Sequence, residues 1–291
     1  MKSIKTSLML TVAIFFILQC ICYARPRMPY GNVPRNVPPE ITKEIKRLYS
    51  HDVLERTDAV IRLGESGPLA SPAVPYLIDM FKDTDPVVLQ IDSETTLATS
   101  PSKQALLACE KIGEAAVRPL IAALKDKDAD IRQNVAESLG RLRNARAVGP
   151  LILALEDEEA SVRKCAALAL GKINDACAVE PLISALHDKD SCVRESAAVA
   201  LGELHDPLAI DPLIKALKDS RSKVQHAANC ALNIIIRNMG NGQGVEPLLA
   251  VLQHKEPVVR RIAVKVILDI KDTNAVQPLM PAITDLDDEV R

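Results

Sequence analysis

Apolar and polar positions recur in a fixed order along most of this chain. In the stretch from Ala147, Val148, Leu151, Ile152 and Leu155 are spaced i, i+3, i+4, i+7, which puts them on one face of a helix. A short acidic turn, "EDEEAS", follows. Val162, Ala166, Ala169, Leu170 and Ile173 then form a second stripe of helical period. Pro150 falls in the first turn of the first helix, where its missing N–H breaks no intrahelical bond. Gly171, near the end of the second helix, lets a neighbouring helix approach closely.

The same helix–turn–helix unit is written repeatedly. "AVRPLIAALKDKDADIRQNVAESLGRL" begins at Ala116, and "AVEPLISALHDKDSCVRESAAVALGEL" begins at Ala178. Aligned on Pro119, Pro150, Pro181, Pro212, Pro247 and Pro278, the units step by 31, 31, 31, 35 and 31 residues. Arg132, Arg163, Arg194, Gln225, Arg260 and Arg291 keep the same steps. A single pair of helices cannot hide its own apolar stripe, so the pairs must stack. The predicted fold is therefore all-α: a right-handed α-solenoid of helix pairs with the second helices on the concave side. Repeats are expected at 115–145, 146–176, 177–207, 208–242 and 243–273, with an incomplete unit at 274–291.

Before Ala116 the pattern is less regular. Residues 41–71 read as a degenerate first repeat or cap. Residues 72–114 read as a repeat interrupted by an inserted loop, 89–103, because the step from Pro75 to Pro119 is 44 rather than 31. Residues 25–40, "RPRMPYGNVPRNVPPE", carry five prolines and no stripe, and read as an extended linker. "NMGNGQG" at 238–244 is a second, smaller insertion without the features of a phosphate loop.

These units resemble HEAT repeats of the short class named after the phycobilisome (PBS) lyases. The resemblance rests on the "AVxPLIxAL", "D…VR" and "AAxALGxL" stretches and covers about residues 43–291. It implies a ladder of Asp and Arg residues six apart, here Asp126 with Arg132, Asp157 with Arg163, and Asp188 with Arg194. Asp219 faces Gln225 and His254 precedes Arg260, so the ladder is expected to weaken towards the C-terminus. The resemblance also admits two activities, a bilin lyase and an oxidoreductase like deoxyhypusine hydroxylase. The latter family holds di-iron with His-Glu pairs, and this chain has no His-Glu dipeptide.

The first 24 residues change the setting. Lys2 and Lys5 precede an apolar run from Leu8 to Leu18, and Cys22-Tyr23-Ala24 ends in small residues. This is the pattern of a cleaved signal peptide, so the chain is expected to be exported, to the periplasm or beyond. A lipoprotein or an N-terminal anchor is the weaker alternative, and no membrane span is expected after cleavage. An intracellular bilin lyase fits such a signal poorly. The formal charge of −2 becomes −4 without Lys2 and Lys5, which disfavours nucleic acid as a partner.

Chemistry is sparse. Cys109, Cys165, Cys177, Cys192 and Cys230 remain after cleavage, an odd and irregularly spaced set. Cys109, Cys165 and Cys230 read as buried free thiols, and Cys177 and Cys192 as opposite ends of one helix, too far apart for a disulfide. His51, His187, His205, His226 and His254 form no ligand cluster. No catalytic, metal or cofactor-binding residue is assigned, and no cofactor is expected. The sequence points to a non-enzymatic scaffold whose concave face binds a protein or peptide. Its candidate contacts are Gln133, Lys164, Glu195, His226 and Arg261, one register position that changes residue in every repeat. Aromatic residues are only 2% of the chain, so each contact is expected to be modest. The oligomeric state is not encoded in any motif.

Overall fold

The computed structural model describes residues 33–34, 36–90, 96–240 and 246–270, with isolated positions between 279 and 290. The signal and most of the linker lie outside the described residues, as do most of the last unit and residues 241–244 of the second insertion. Helix pairs follow one another along the chain. They are α1 (Pro39–Arg47) with α2 (Val53–Glu65), and α3 (Val74–Asp79) with α4 (Pro101–Ile112). Next come α5 (Glu114–Ala123) with α6 (Ala129–Leu142), and α7 (Val148–Ala154) with α8 (Ala160–Ile173). The last three pairs are α9 (Val179–Ala185) with α10 (Ser191–Leu204), α11 (Ile210–Ala216) with α12 (Ser222–Gly240), and α13 (Glu246–Leu252) with α14 (Pro257–Ile270). The architecture is an α-solenoid.

Local sequence sets both ends of these helices. Asp52, Asp128 and Asp190 accept hydrogen bonds from the first free backbone N–H groups of α2, α6 and α10, as N-caps do. At the far ends Arg143, Asn174 and His205 adopt left-handed backbone angles, with φ of 49°, 59° and 56°. Each is followed by Asn144, Asp175 or Asp206, whose side chain accepts a backbone N–H two residues on and starts a short 3-10 turn into the next first helix. One unit therefore ends and the next begins within three residues.

The stripes read from sequence face the core. Val148, Leu151, Leu155, Val162, Ala166, Ala169 and Leu170 are buried, with Ile152 and Ile173 packed at its margin. Along the stack α6 packs directly on α8, α8 on α10 and α10 on α12, whereas from α5 onward each first helix packs mainly on its own partner. Glycine and alanine allow the tight row. A Cβ placed on Gly140 would lie 2.7 Å from Ala169 Cα, one on Gly171 2.8 Å from Ala200 Cα, and one on Gly202 3.0 Å from Ala231 Cα. Because the second helices are the closely spaced row, they form the inner arc.

Three features differ from the sequence reading. The insertion is a short antiparallel hairpin rather than a loop over 89–103: β1 (Val87–Gln90) pairs with β2 (Thr96–Thr99), in the register Val87 to Thr99. Residues 101–103 already belong to the first turn of α4, where the Ser100 side chain accepts from the Lys103 N–H. The first repeat is less worn than expected: α1 begins at Pro39, and Gly64 on α2 meets Ala108 of α4 as the later glycines meet their alanines.

Candidate binding face

The side chains that hold the arc in register are arginines in the first turn of the second helices and aspartates in the turns between helices. Arg132 donates through Nε and Nη2 to both oxygens of Asp157, at 2.7 and 2.8 Å. Arg163 grips Asp188 at 2.7 and 2.8 Å, and Arg194 grips Asp219 at 2.7 and 2.9 Å. In each case Nη1 donates to a backbone carbonyl six residues earlier, of Asp126, Asp157 and Asp188 respectively. Each of Asp157, Asp188 and Asp219 also accepts the backbone N–H two residues ahead.

The pairing corrects the expected one. Arg132, Arg163 and Arg194 reach 25 residues forward to the next repeat's aspartate, and contact the aspartate six residues back only through its carbonyl oxygen. A planar guanidinium at the base of a second helix can span both, because its three donors point in different directions. Asp126 is left without an arginine from the preceding repeat, where Ser102 occupies the corresponding place and donates to the Phe81 carbonyl. Nor does the ladder simply fade. Beyond that gap it is interrupted at one more step, where Gln225 and His254 replace the charged partners, and it resumes with Arg260 on Asp285 at 2.7 Å. It is also present at the start, where Arg56 binds Asp83 at 2.5 and 3.2 Å.

At the interruption the turn survives by substitution. Gln225 donates to the Asp219 carbonyl at 2.6 Å, as an arginine would. His254 Nδ1 accepts the Glu256 N–H, and His254 Nε2 lies 3.3 Å from Asp211.

The inner face carries the candidate contacts. Lys164, His226 and Arg261 are exposed and Gln133 and Glu195 half-buried, each one residue beyond the ladder position on successive second helices. The sequence reading named this row alone. One turn further along the same helices come Glu137, Leu168, Val199, Cys230 and Lys265, and a turn beyond them Arg141, Lys172, Glu203, Ile234 and Asp269. The signal was available, since these rows follow from the same repeat steps at i+4 and i+8. Val199 and Ile234 are 39% and 45% exposed, so the face has apolar ground between its charges.

The thiols and acids behave as their surroundings dictate. Burial pushes the Cys109 thiol up to about 12, and raises that of half-buried Cys165. Cys230, expected to be buried, is exposed, with Sγ 3.5 Å from His226 Nε2. Cys177 sits in the turn before α9 and Cys192 at the start of α10, so they belong to different helices, and both are free. Burial holds the Asp79 carboxyl above the usual range although Tyr49 donates to it at 3.0 Å. Among the described residues no three His, Cys, Asp or Glu side chains gather into a metal-binding group, and no helix is long and apolar enough to cross a membrane.

Comparison with known proteins agrees with this architecture. Residues 148–233 match HEAT repeats, and residues 131–157 match the PBS lyase HEAT-like repeat. No curated protein matches the sequence. Among solved structures, the complex of CpcE and CpcF of phycocyanin lyase from Nostoc sp. PCC7120 is 23% identical, covering 87% of this chain and 97% of that one, with a TM-score of 0.43. Kap95p in its complex with RanGDP is 13% identical over 84% of this chain and 39% of its own, with a TM-score of 0.55. Importin beta is 17% identical over 85% and 40%, with a TM-score of 0.51. The last two are likenesses of fold.

Proposed function

We propose that this chain of HEAT repeats is an exported, non-enzymatic scaffold that binds a protein or peptide segment on the face formed by its second helices. One observation carries the reading. The residues that stack the repeats hardly change from unit to unit, whereas the three rows of exposed or half-buried positions beside them change at every step. A surface of this kind offers a series of different contacts at a fixed spacing, which suits an extended partner better than a small molecule. The scarcity of aromatic side chains spreads the affinity over many contacts. Photo-crosslinkers placed at Lys164 and His226, with recovery from the exported fraction, test it. A partner crosslinked there supports the reading. Recovery of the chain only from the cell interior, or crosslinks confined to the outer helices, overturns it.

The match to the PBS lyase HEAT-like repeat favours one second reading, a role in attaching bilin chromophores. Incubation of the purified chain with bilin and an acceptor phycobiliprotein separates the two. Covalent, coloured acceptor formed only in its presence supports the lyase reading and removes the scaffold one.

A further inference from the structure

The inner face is uneven in charge, and the unevenness is concentrated at one step of the stack. On α8, Lys164, Leu168 and Lys172 stand at i, i+4 and i+8. On α10, Glu195, Val199 and Glu203 stand at the same three heights. The two helices are in close contact, since a Cβ on Gly171 would lie 2.8 Å from Ala200 Cα and 2.7 Å from Glu203 Oε2. None of the four charged side chains takes part in an ion pair among the described residues. The neighbouring steps differ. On α6, Arg141 is held by Glu137 at 2.9 Å and by Glu110 at 3.5 Å. On α12 the same three heights carry His226, Cys230 and Ile234.

From this charge pattern we infer that the α8–α10 step is a bipolar subsite for a protein segment in the polyproline II conformation, with an acidic side chain over α8 and a basic one over α10. An acid seated over Leu168 lies between two ammonium groups. A base seated over Val199 has Glu195 one turn before it and Glu203 one turn after it, the latter with its carboxylate leaning towards Gly171 of α8. The spacing follows from two independent repeats. Packed helices lie about 8–10 Å apart. A polyproline helix rises about 3.1 Å per residue and returns to the same face every third residue, or about 9 Å. An acid and a base three residues apart therefore register with adjacent second helices, and Leu168 and Val199 give the segment an apolar floor. The inference rests on the concave-face reading and adds the chemistry of the occupant.

Three fluorescein-labelled peptides test it, identical but for their centres: Glu-Pro-Pro-Lys, Glu-Pro-Pro-Glu and Lys-Pro-Pro-Lys between Gly-Ser flanks. Their affinities for the full chain are read by anisotropy. The mixed peptide is expected to bind about fivefold more tightly than either like-charged one, the yield of one or two exposed ion pairs. Lys164→Glu with Lys172→Glu should transfer the preference to Lys-Pro-Pro-Lys, and Glu195→Lys with Glu203→Lys to Glu-Pro-Pro-Glu. Circular dichroism checks that both double variants keep their helices. Equal binding of the three peptides, no binding of the mixed one, or a preference that does not invert overturns the inference. The scaffold reading stands or falls separately, on where a natural partner crosslinks.

Discussion

Arg163 and Asp188, 25 residues apart, meet through two parallel hydrogen bonds of 2.7 and 2.8 Å across the boundary between two repeats. Their side chains are 5% and 12% exposed, so the pair is largely withdrawn from water. The same guanidinium also ties down the turn of its own repeat through the Asp157 carbonyl. One side chain thus fixes the register of two units.

Removing that side chain strands a shielded carboxylate. Arg163→Ala is expected to destabilise the fold by about 2–4 kcal/mol, and Arg163→Lys by less, since it keeps the charge but loses the two-pronged geometry. Urea unfolding of the two variants checks the order. Equal losses would show that charge alone, rather than the fork, sets the register.

The ladder also sets the acid limit. Burial alone would raise the Asp157 and Asp188 carboxyls, but hydrogen bonds from Arg132 and Arg163 outweigh it and hold both below the usual range. For Asp219 the hydrogen bond from Arg194 is the leading cause. Carboxyls depressed by folding stabilise the protein fully above about pH 4 and lose that contribution as pH falls through their folded values. Thermal midpoints should therefore drop on the acid side of about pH 4, with a shallower drop in a variant carrying Arg163→Met.

Asp79 has the opposite sign. Its carboxyl is raised, by burial first, against the Tyr49 hydrogen bond and the nearby Lys82. Ionised Asp79 therefore costs stability at neutral pH, and the cost is relieved as pH falls through its folded value. Asp79→Asn, whose amide oxygen can still accept from Tyr49, is expected to raise the melting point at pH 7. The gain should shrink towards pH 4 and would be constant with pH if ionisation were irrelevant.

Two glycines separate packing from backbone effects. Gly171→Ala drives a methyl into the α10 backbone at Ala200 and is expected to cost about 1–3 kcal/mol despite alanine's better helix propensity. Gly149, in α7, has nothing within 4 Å of an added Cβ, and Glu180 and Asp211 stand at its place in the next repeats. Gly149→Ala should add about 0.5–1 kcal/mol. Chemical denaturation of the pair reads both signs.

The interrupted step offers a repair. Gln225→Arg and His254→Asp together restore the missing arginine–aspartate link, and a double-mutant cycle should give a favourable coupling of about 1 kcal/mol or more. No coupling would mean that the repeats flanking this step are held too far apart for the link to form.

The sequence by itself determined the repeat, the helix pair within it and the buried stripes. These follow from spacing of three to four residues inside a helix and from the need to hide an apolar face that one pair cannot cover. It also supplied the row from Gln133 to Arg261, because exposed positions inherit the same period. Only the tertiary structure decided which aspartate each arginine holds. Aspartates at i−6 and at i+25 from each arginine recur with the same 31-residue period, and only the stacking distance selects between them. Tertiary contact likewise decided that the insertion pairs with itself as a hairpin, that Cys230 is exposed rather than buried, and that Lys164 and Lys172 lie beside Glu195 and Glu203. The last of these depends on how close one helix comes to the next, a distance set by the glycines meeting alanines across the stack.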